Sequence, residues 1–191
     1  MLTKRAQDYL RTLARRPRLP TSEIERILKG AGSPCFDPWL AFHESYAGYV
    51  EPLGRDTAVW GLVHEQGHWI APGGASVEKE PHDKAWYIVC ADVHPSYSYK
   101  LDHLGEFLGE PAVSFDVKVE RNALVVDFMS RGKTRYLIQE LKDPTRIKEL
   151  LEGSAIDPHT ADKFARYHVS TRYLLKEDAE SGGFVYGWAR Q

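Results

Sequence analysis

The sequence predicts an α+β fold: one antiparallel sheet of about five to six strands, with helices before and after it packed against the sheet. Three observations lead there. Apolar residues recur at helical spacing up to about residue 50, the period shifts to two beyond residue 55, and helix-start signals return after residue 140. The links between the later strands are of hairpin length, which makes neighbouring strands antiparallel. With 191 residues and 12% aromatic side chains, the chain is long enough to bury a core and too apolar to be disordered.

Leu2, Ala6, Tyr9, Leu10 and Leu13 form the stripe of a first helix, expected to end before Pro17. A second is expected from Ser22, whose spacing to Glu25 matches a capping box, with Ile24, Ile27 and Leu28 apolar up to Gly30 and Gly32. Asp37-Pro38 marks a third, as N-cap and first helical residue, with Trp39, Phe42 and Tyr46 on one face and Gly48 at its end.

Strands are expected at Thr57–Val63, Ala85–Cys90, Val113–Val119, Ala123–Met129 and Thr134–Ile138. After them Asp143-Pro144 opens a short helix through Leu150-Leu151. Asp157-Pro158 opens a longer one carrying Phe164, Ala165, Tyr167, His168, Leu174 and Leu175. Gly73 to Pro81 reads as a loop.

Net charge is -2, but it is uneven. Residues 1–18 hold six cations against Asp8 alone, a net of +5, which leaves -7 on the remainder. The expected organisation is a basic N-terminal helix over 1–18 and a single domain over 19–191. An acidic body with its cations in one helix argues against nucleic acid as partner. No apolar run approaches the roughly 18 residues of a membrane span, and the start lacks a secretory apolar core, so a cytoplasmic protein without membrane contact is expected. Cys35 and Cys90 are too few for a disulfide framework and read as reduced, buried thiols.

His64-Glu65-Gln66-Gly67-His68 satisfies the H-E-x-x-H string of zinc hydrolases, in which His64 and His68 would be ligands and Glu65 the general base. That chemistry requires a helix, since only i, i+4 spacing brings both imidazoles to one metal. Here the string follows a β-patterned run, carries Gly67, and precedes Pro72-Gly73-Gly74, so it reads as a hairpin turning at Glu65-Gln66-Gly67. His43 falls mid-helix beside an apolar face, and Asp116 and Asp127 fall on the expected solvent side of the sheet. No cofactor, metal ligand set or catalytic residue is expected. Tyr97 and Tyr99, alternating in a polar segment, are the expected partner contacts, with His64, Glu65, His68 and Trp69 beside them.

The stretch from Trp39 to Pro52, Trp-x-x-Phe then Tyr-x-Gly, followed by Ala58-Val59-Trp60-Gly61, resembles the start of the SUKH superfamily. The resemblance implies a small α+β domain. Many members are bacterial immunity proteins that bind and neutralise cognate polymorphic toxins, and some are fungal cell-wall regulators. Ala47 stands where a second Gly is common in that family, and the basic first helix is additional. The family's contact surfaces vary with the partner, so the resemblance assigns no interface residue. The implied function is a non-enzymatic immunity protein acting on a toxin, possibly a nuclease, by direct contact. The alternatives are the zinc hydrolase and a regulatory scaffold whose basic helix docks on an acidic partner or drives self-association.

Overall fold

The computed structural model describes the chain except residues 54–55, 62, 66–67, 71–76, 80–83, 95–96, 109–111 and 138–139. Side chains are also left undescribed at 56, 63–65, 68–70, 78, 89–94 and 97–98. The fold is α+β, with antiparallel strands throughout the described pairings. The strands form separate sheets rather than the single sheet expected.

In chain order the elements are α1 (Lys4–Thr12), β1 (Ala14–Arg15), α2 (Thr21–Gly30), α3 (Asp37–Tyr46), β2 (Tyr49–Leu53) and β3 (Asp56–Val59). Then come β4 (Val63–Glu65), β5 (His68–Ile70), β6 (Val77–Lys79), β7 (Trp86–His94) and β8 (Tyr97–Leu101). The remainder is α4 (Phe115–Ser130), β9 (Thr134–Tyr136), a single 3₁₀ turn (Glu140–Lys142), α5 (Pro144–Leu151), β10 (Ala155–Ile156), β11 (Ala165–Val169), β12 (Tyr173–Asp178) and β13 (Phe184–Arg190). The chain folds as two compact units, Leu10–Glu110 and Met1–Tyr9 with Pro111–Gln191.

In the Leu10–Glu110 unit, α2 buries Ile24 and Leu28, and α3 buries Trp39, Phe42, His43 and Tyr46. The expected capping box is not formed. Pro20 is the N-cap of α2 with no side-chain bond, and its carbonyl accepts from the Glu23 and Ile24 amides. The cap of α3 is likewise one residue earlier than expected, at Phe36, which leaves Asp37 and Pro38 in the first turn, where Pro lacks only an amide that has no helical partner. Tyr46 and Trp60 are buried and Tyr49 half-buried: Tyr46 and Tyr49 meet Trp60 edge-on at 6.3 and 5.9 Å, and Trp60 Nε1 donates to the buried Glu51 carboxylate at 2.8 Å.

Gly48 is where this region closes. Its amide donates to the Trp60 carbonyl and its own carbonyl accepts from the Arg16 amide, both at 2.7 Å. Its φ is +89°, and a Cβ there would lie 2.2 Å from the Arg16 carbonyl oxygen. Ala47 has φ -59°, so that position accepts an L side chain without strain.

The cations after α1 serve the C-terminus of α3. Arg15 donates to the carbonyls of Ala47, Glu44 and Ser45 and stacks on Tyr49 at 4.4 Å, and Arg18 donates to Glu44. Guanidinium groups at the last turn satisfy orphan carbonyls and oppose the helix dipole. His43 Nε2 donates to the Leu19 carbonyl at 2.7 Å. Burial, aided by Arg18 and Arg15, holds its pKa below 6.5 against the Leu19 bond and Glu44. The unfolded chain therefore takes up this proton first, so stability should fall as pH drops below about 6.5. Urea midpoints between pH ~7.5 and ~5.5 should decline less steeply in His43→Gln than in the parent chain.

In the other unit a five-stranded sheet runs in the order β10-β11-β12-β13-β9. One face, through Ala165, Tyr167, Leu174 and Trp188, packs on Leu124 and Phe128 of α4. The other, through Leu175 and Ala189, packs with Leu137 and with Leu150 of α5. Helices therefore lie on both faces.

Two expectations are overturned here. Phe115–Val119 of the strand expected at Val113–Val119 and the whole of that expected at Ala123–Met129 lie in the single helix α4, with Val113 and Ser114 just ahead of it. Phe115, Val119, Ala123, Leu124 and Phe128 supply a helical stripe that the Val-rich alternation obscures, and Ser114 Oγ caps it by accepting from the Val117 amide. Glu120-Arg121-Asn122, read as a turn, lies mid-helix. Asp116 and Asp127 thus share a helix, where Asp116 is exposed and Asp127 pairs with Arg131.

Conversely, the helix expected after Asp157-Pro158 is the β11–β12 hairpin. Asp157 Oδ1 accepts from the amides of His159 and Thr160, which closes a turn instead of starting a helix, and Ser170 Oγ accepts from Arg172 and Tyr173 to make the hairpin bend. The helix at 144–151 and the strand at 134–136 match their expected positions, whereas of the helix expected over 1–18 only Lys4–Thr12 is helical, because Ala14–Arg15 pair with β2 instead.

Met1–Tyr9 belongs to this second unit. Thr3 caps α1 and also donates through its amide and hydroxyl to Glu120, at 2.6 and 2.7 Å. Arg5 Nη1 donates to Asp157 at 2.8 Å. Burial alone would raise the Asp157 pKa, but the Arg5 bond and charge, with the His159 amide, bring it below the usual carboxylate value.

Candidate functional site

The residues that carry the family resemblance are structural. Trp39 and Phe42 are buried on α3, and Tyr46, Gly48 and Trp60 build the joint between α3 and the β1-β2-β3 ribbon, so any recognition surface on this unit has to be sought on what that joint holds outward.

What it holds is the α2–α3 pair. α2 ends at Gly30, the Ser33 amide returns to the Leu28 carbonyl at 3.0 Å, and the chain passes through Cys35 into α3. Between the helices lies an open groove of about 660 Å³, lined among others by Glu25, Lys29, Ser33, Cys35, Asp37 and Leu40. Cys35 is exposed, a correction to the buried thiol expected, because it sits in the link and not on a helix face. Burial, then the Glu25 and Asp37 charges, push its pKa up, so it stays a thiol at neutral pH, which disfavours nucleophilic use. The groove is anionic despite Lys29.

None of the sequence-predicted contact residues is among the described residues that line the groove. Tyr99 is buried and meets Phe107 edge-on at 5.0 Å, so it is a core residue and not an exposed anchor. Tyr97 lies in the same strand, but its side chain is outside the described residues, as is that of Cys90. His64, Glu65, His68 and Trp69 fall in the β4–β5 hairpin, in the strand conformation expected, with Glu65 opposite His68 and His64 opposite Trp69. Their side chains, and the turn at 66–67, are outside the described residues. The backbone there is not the helix that places an H-E-x-x-H pair on one metal. The expected loop at 73–81 lies mostly outside the described residues too. Among the described residues no helix is long and apolar enough to cross a membrane.

Sequence reasoning missed the groove itself. Glu25 had been assigned to a capping box, and Cys35 to the interior; only the clustering of Glu23, Glu25, Asp37 and Glu44 around two short helices signalled an acidic face.

The chain matches no family model, no curated protein and no solved structure.

Proposed function

We propose that this is a cytoplasmic, non-enzymatic binding protein of the immunity type described for the SUKH superfamily, which neutralises a cognate toxin by direct contact. The observation that carries the reading is the placement of charge. Residues 19–110, which include the resemblance, hold 14 Asp and Glu against six Lys and Arg, whereas residues 111–191 hold 12 against 13. Counted by unit, with Arg11, Arg15, Arg16 and Arg18 included, Leu10–Glu110 carries a net charge of -4 and the other unit +2, so the acidity lies in the unit that holds the resemblance.

Such a field speeds encounter with a basic partner and penalises wrong ones. A toxin that acts on nucleic acid has a cationic substrate groove, and an acidic surface is its complement. The cations of residues 1–18 do not oppose this reading: Lys4 pairs with Asp8, Arg5 with Asp157, and Arg15 and Arg18 with α3 carbonyls.

The test is growth. Bacteria expressing the toxin domain of the neighbouring reading frame should survive when this chain is co-expressed, and a chain carrying Glu25→Lys with Asp37→Lys should protect less at equal expression. A chain that never protects at any expression level contradicts the reading.

A further inference from the structure

The groove has an apolar neighbour. After β8 the chain turns at residues 102–105, with the Gly105 amide donating to the Asp102 carbonyl at 3.0 Å. Asp102 Oδ1 accepts from the amides of Leu104 and Glu106, both at 2.9 Å. The same Asp102 carbonyl accepts from Trp39 Nε1 of α3 at 2.7 Å. On either side of Leu104 the turn rests on the start of α3. The His103 ring lies 5.8 Å from Phe36, and a Cβ on Gly105, at φ +83°, would lie 3.0 Å from Pro38 Cβ.

Leu104 itself points away, 64% exposed on a turn fastened at four hydrogen bonds. A leucine held out by a rigid turn loses little conformational freedom on binding, which is how a contact residue is pre-organised. Residues 35–38, against which the turn packs, also contribute Cys35 and Asp37 to the groove. An exposed apolar knob and an acidic groove therefore flank one short segment.

We propose that Leu104 and the α2–α3 groove form a single docking surface for a cationic segment of a partner protein that also carries apolar side chains. Leu104 takes the apolar side chains, and Glu25 and Asp37 take the Lys or Arg. Charge complementarity selects this occupant: Lys29 is the only cation among the groove-lining residues described, so an acidic or wholly apolar segment would leave the carboxylates desolvated and unmatched. The inference rests on the immunity reading for the partner's biological identity, and on the geometry alone for its chemistry.

The full chain is titrated with three labelled peptides about 14 residues long, followed by fluorescence anisotropy: an amphipathic Leu/Lys helix, its Leu/Glu counterpart, and a Ser/Lys peptide of equal charge. The Leu/Lys peptide should bind, and the other two should bind at least about tenfold more weakly. Leu104→Asp and the Glu25→Lys, Asp37→Lys pair should each weaken the Leu/Lys peptide by about tenfold or more. Val126→Asp, an exposed substitution on the other unit, should not. All four positions are exposed, and an unchanged thermal midpoint confirms folding; Leu104→Ser replaces Leu104→Asp if that variant is destabilised.

Absence of Leu/Lys binding, equal binding of the Leu/Glu or Ser/Lys peptide, or indifference to the substitutions overturns the proposal. The two readings separate cleanly. Undiminished protection by Leu104→Asp in the growth assay sinks the surface and leaves the immunity reading standing; peptide binding here with no protection does the reverse.

Discussion

Asp162→Ala should be the most damaging single substitution in the C-terminal sheet unit, lowering stability by about 3–5 kcal/mol. The Arg121 and Asp162 side chains are 3% and 4% exposed, with Arg121 Nη2 2.6 Å from Asp162 Oδ1. Arg121 Nε donates to the Thr160 carbonyl, and its guanidinium lies over Tyr167 at 5.8 Å. Asp162 has three further tasks, accepting from the amides of Phe164, Ala165 and Val113. Truncation leaves a buried guanidinium without its carboxylate and removes the acceptor of three amides, two at the start of β11 and one just ahead of α4. Asp162→Asn keeps an acceptor but loses the charge, so its urea midpoint should fall between those of the parent and Asp162→Ala. Equal midpoints for parent and Asp162→Ala would show that the pair holds nothing in place.

Gly48→Ala should cost about 3 kcal/mol, from the left-handed backbone and the overpacking together. The clash is with backbone, the Arg16 carbonyl, and not with a side chain that could rotate away. Relief requires moving β1 off β2, which breaks the Arg16–Gly48 hydrogen bond, or shifting Gly48 itself, which breaks its bond to Trp60. The loss should appear as a lower thermal midpoint with Trp fluorescence reporting early release of Trp60. Gly30→Ala, at a helical position where a Cβ meets nothing within 4 Å, is the control and should shift the midpoint far less.

These two positions also mark how far the sequence could be read. Gly48 was legible because a helix ending in Gly before a β-run has one simple explanation. Arg121 was not: Glu120-Arg121-Asn122 is a turn by composition, and only the burial of all that charge against Asp162, Thr160 and Thr3 makes it mid-helix. The α4 error and the β11–β12 error have the same origin. Val, Phe and Leu at mixed spacing satisfy both periods, and the choice was made by tertiary partners distant in sequence, α4 finding a sheet whose strands were themselves read as a helix. β13, the strand that joins β12 to β9, was not foreseen, since Gly187 interrupts its pattern; a Cβ there would meet Leu175 Cδ2 at 2.6 Å and the Leu174 carbonyl oxygen at 3.2 Å, so the glycine sits where β12 approaches closely.

For the site, the sequence offered tyrosines and a histidine string, and the structure moved attention elsewhere. Tyr99 alternates in a polar stretch because its neighbours are polar, while its own ring packs on Phe107. The acidic groove depends on two helices meeting through a link at Cys35, a proximity that no local pattern encodes. Charge, by contrast, was legible early: the imbalance between the first 18 residues and the rest is read from composition alone, and the fold places Arg15 and Arg18 of that basic segment on the α3 carbonyls.

The most direct measurement is a calorimetric titration of this chain with the purified toxin domain of the neighbouring reading frame at low and high salt. A saturable one-to-one complex is expected, with affinity falling as salt rises and falling again in the Glu25→Lys, Asp37→Lys chain. No detectable association, or association that both salt and charge reversal leave unchanged, would contradict an acidic recognition surface built on the α2–α3 pair.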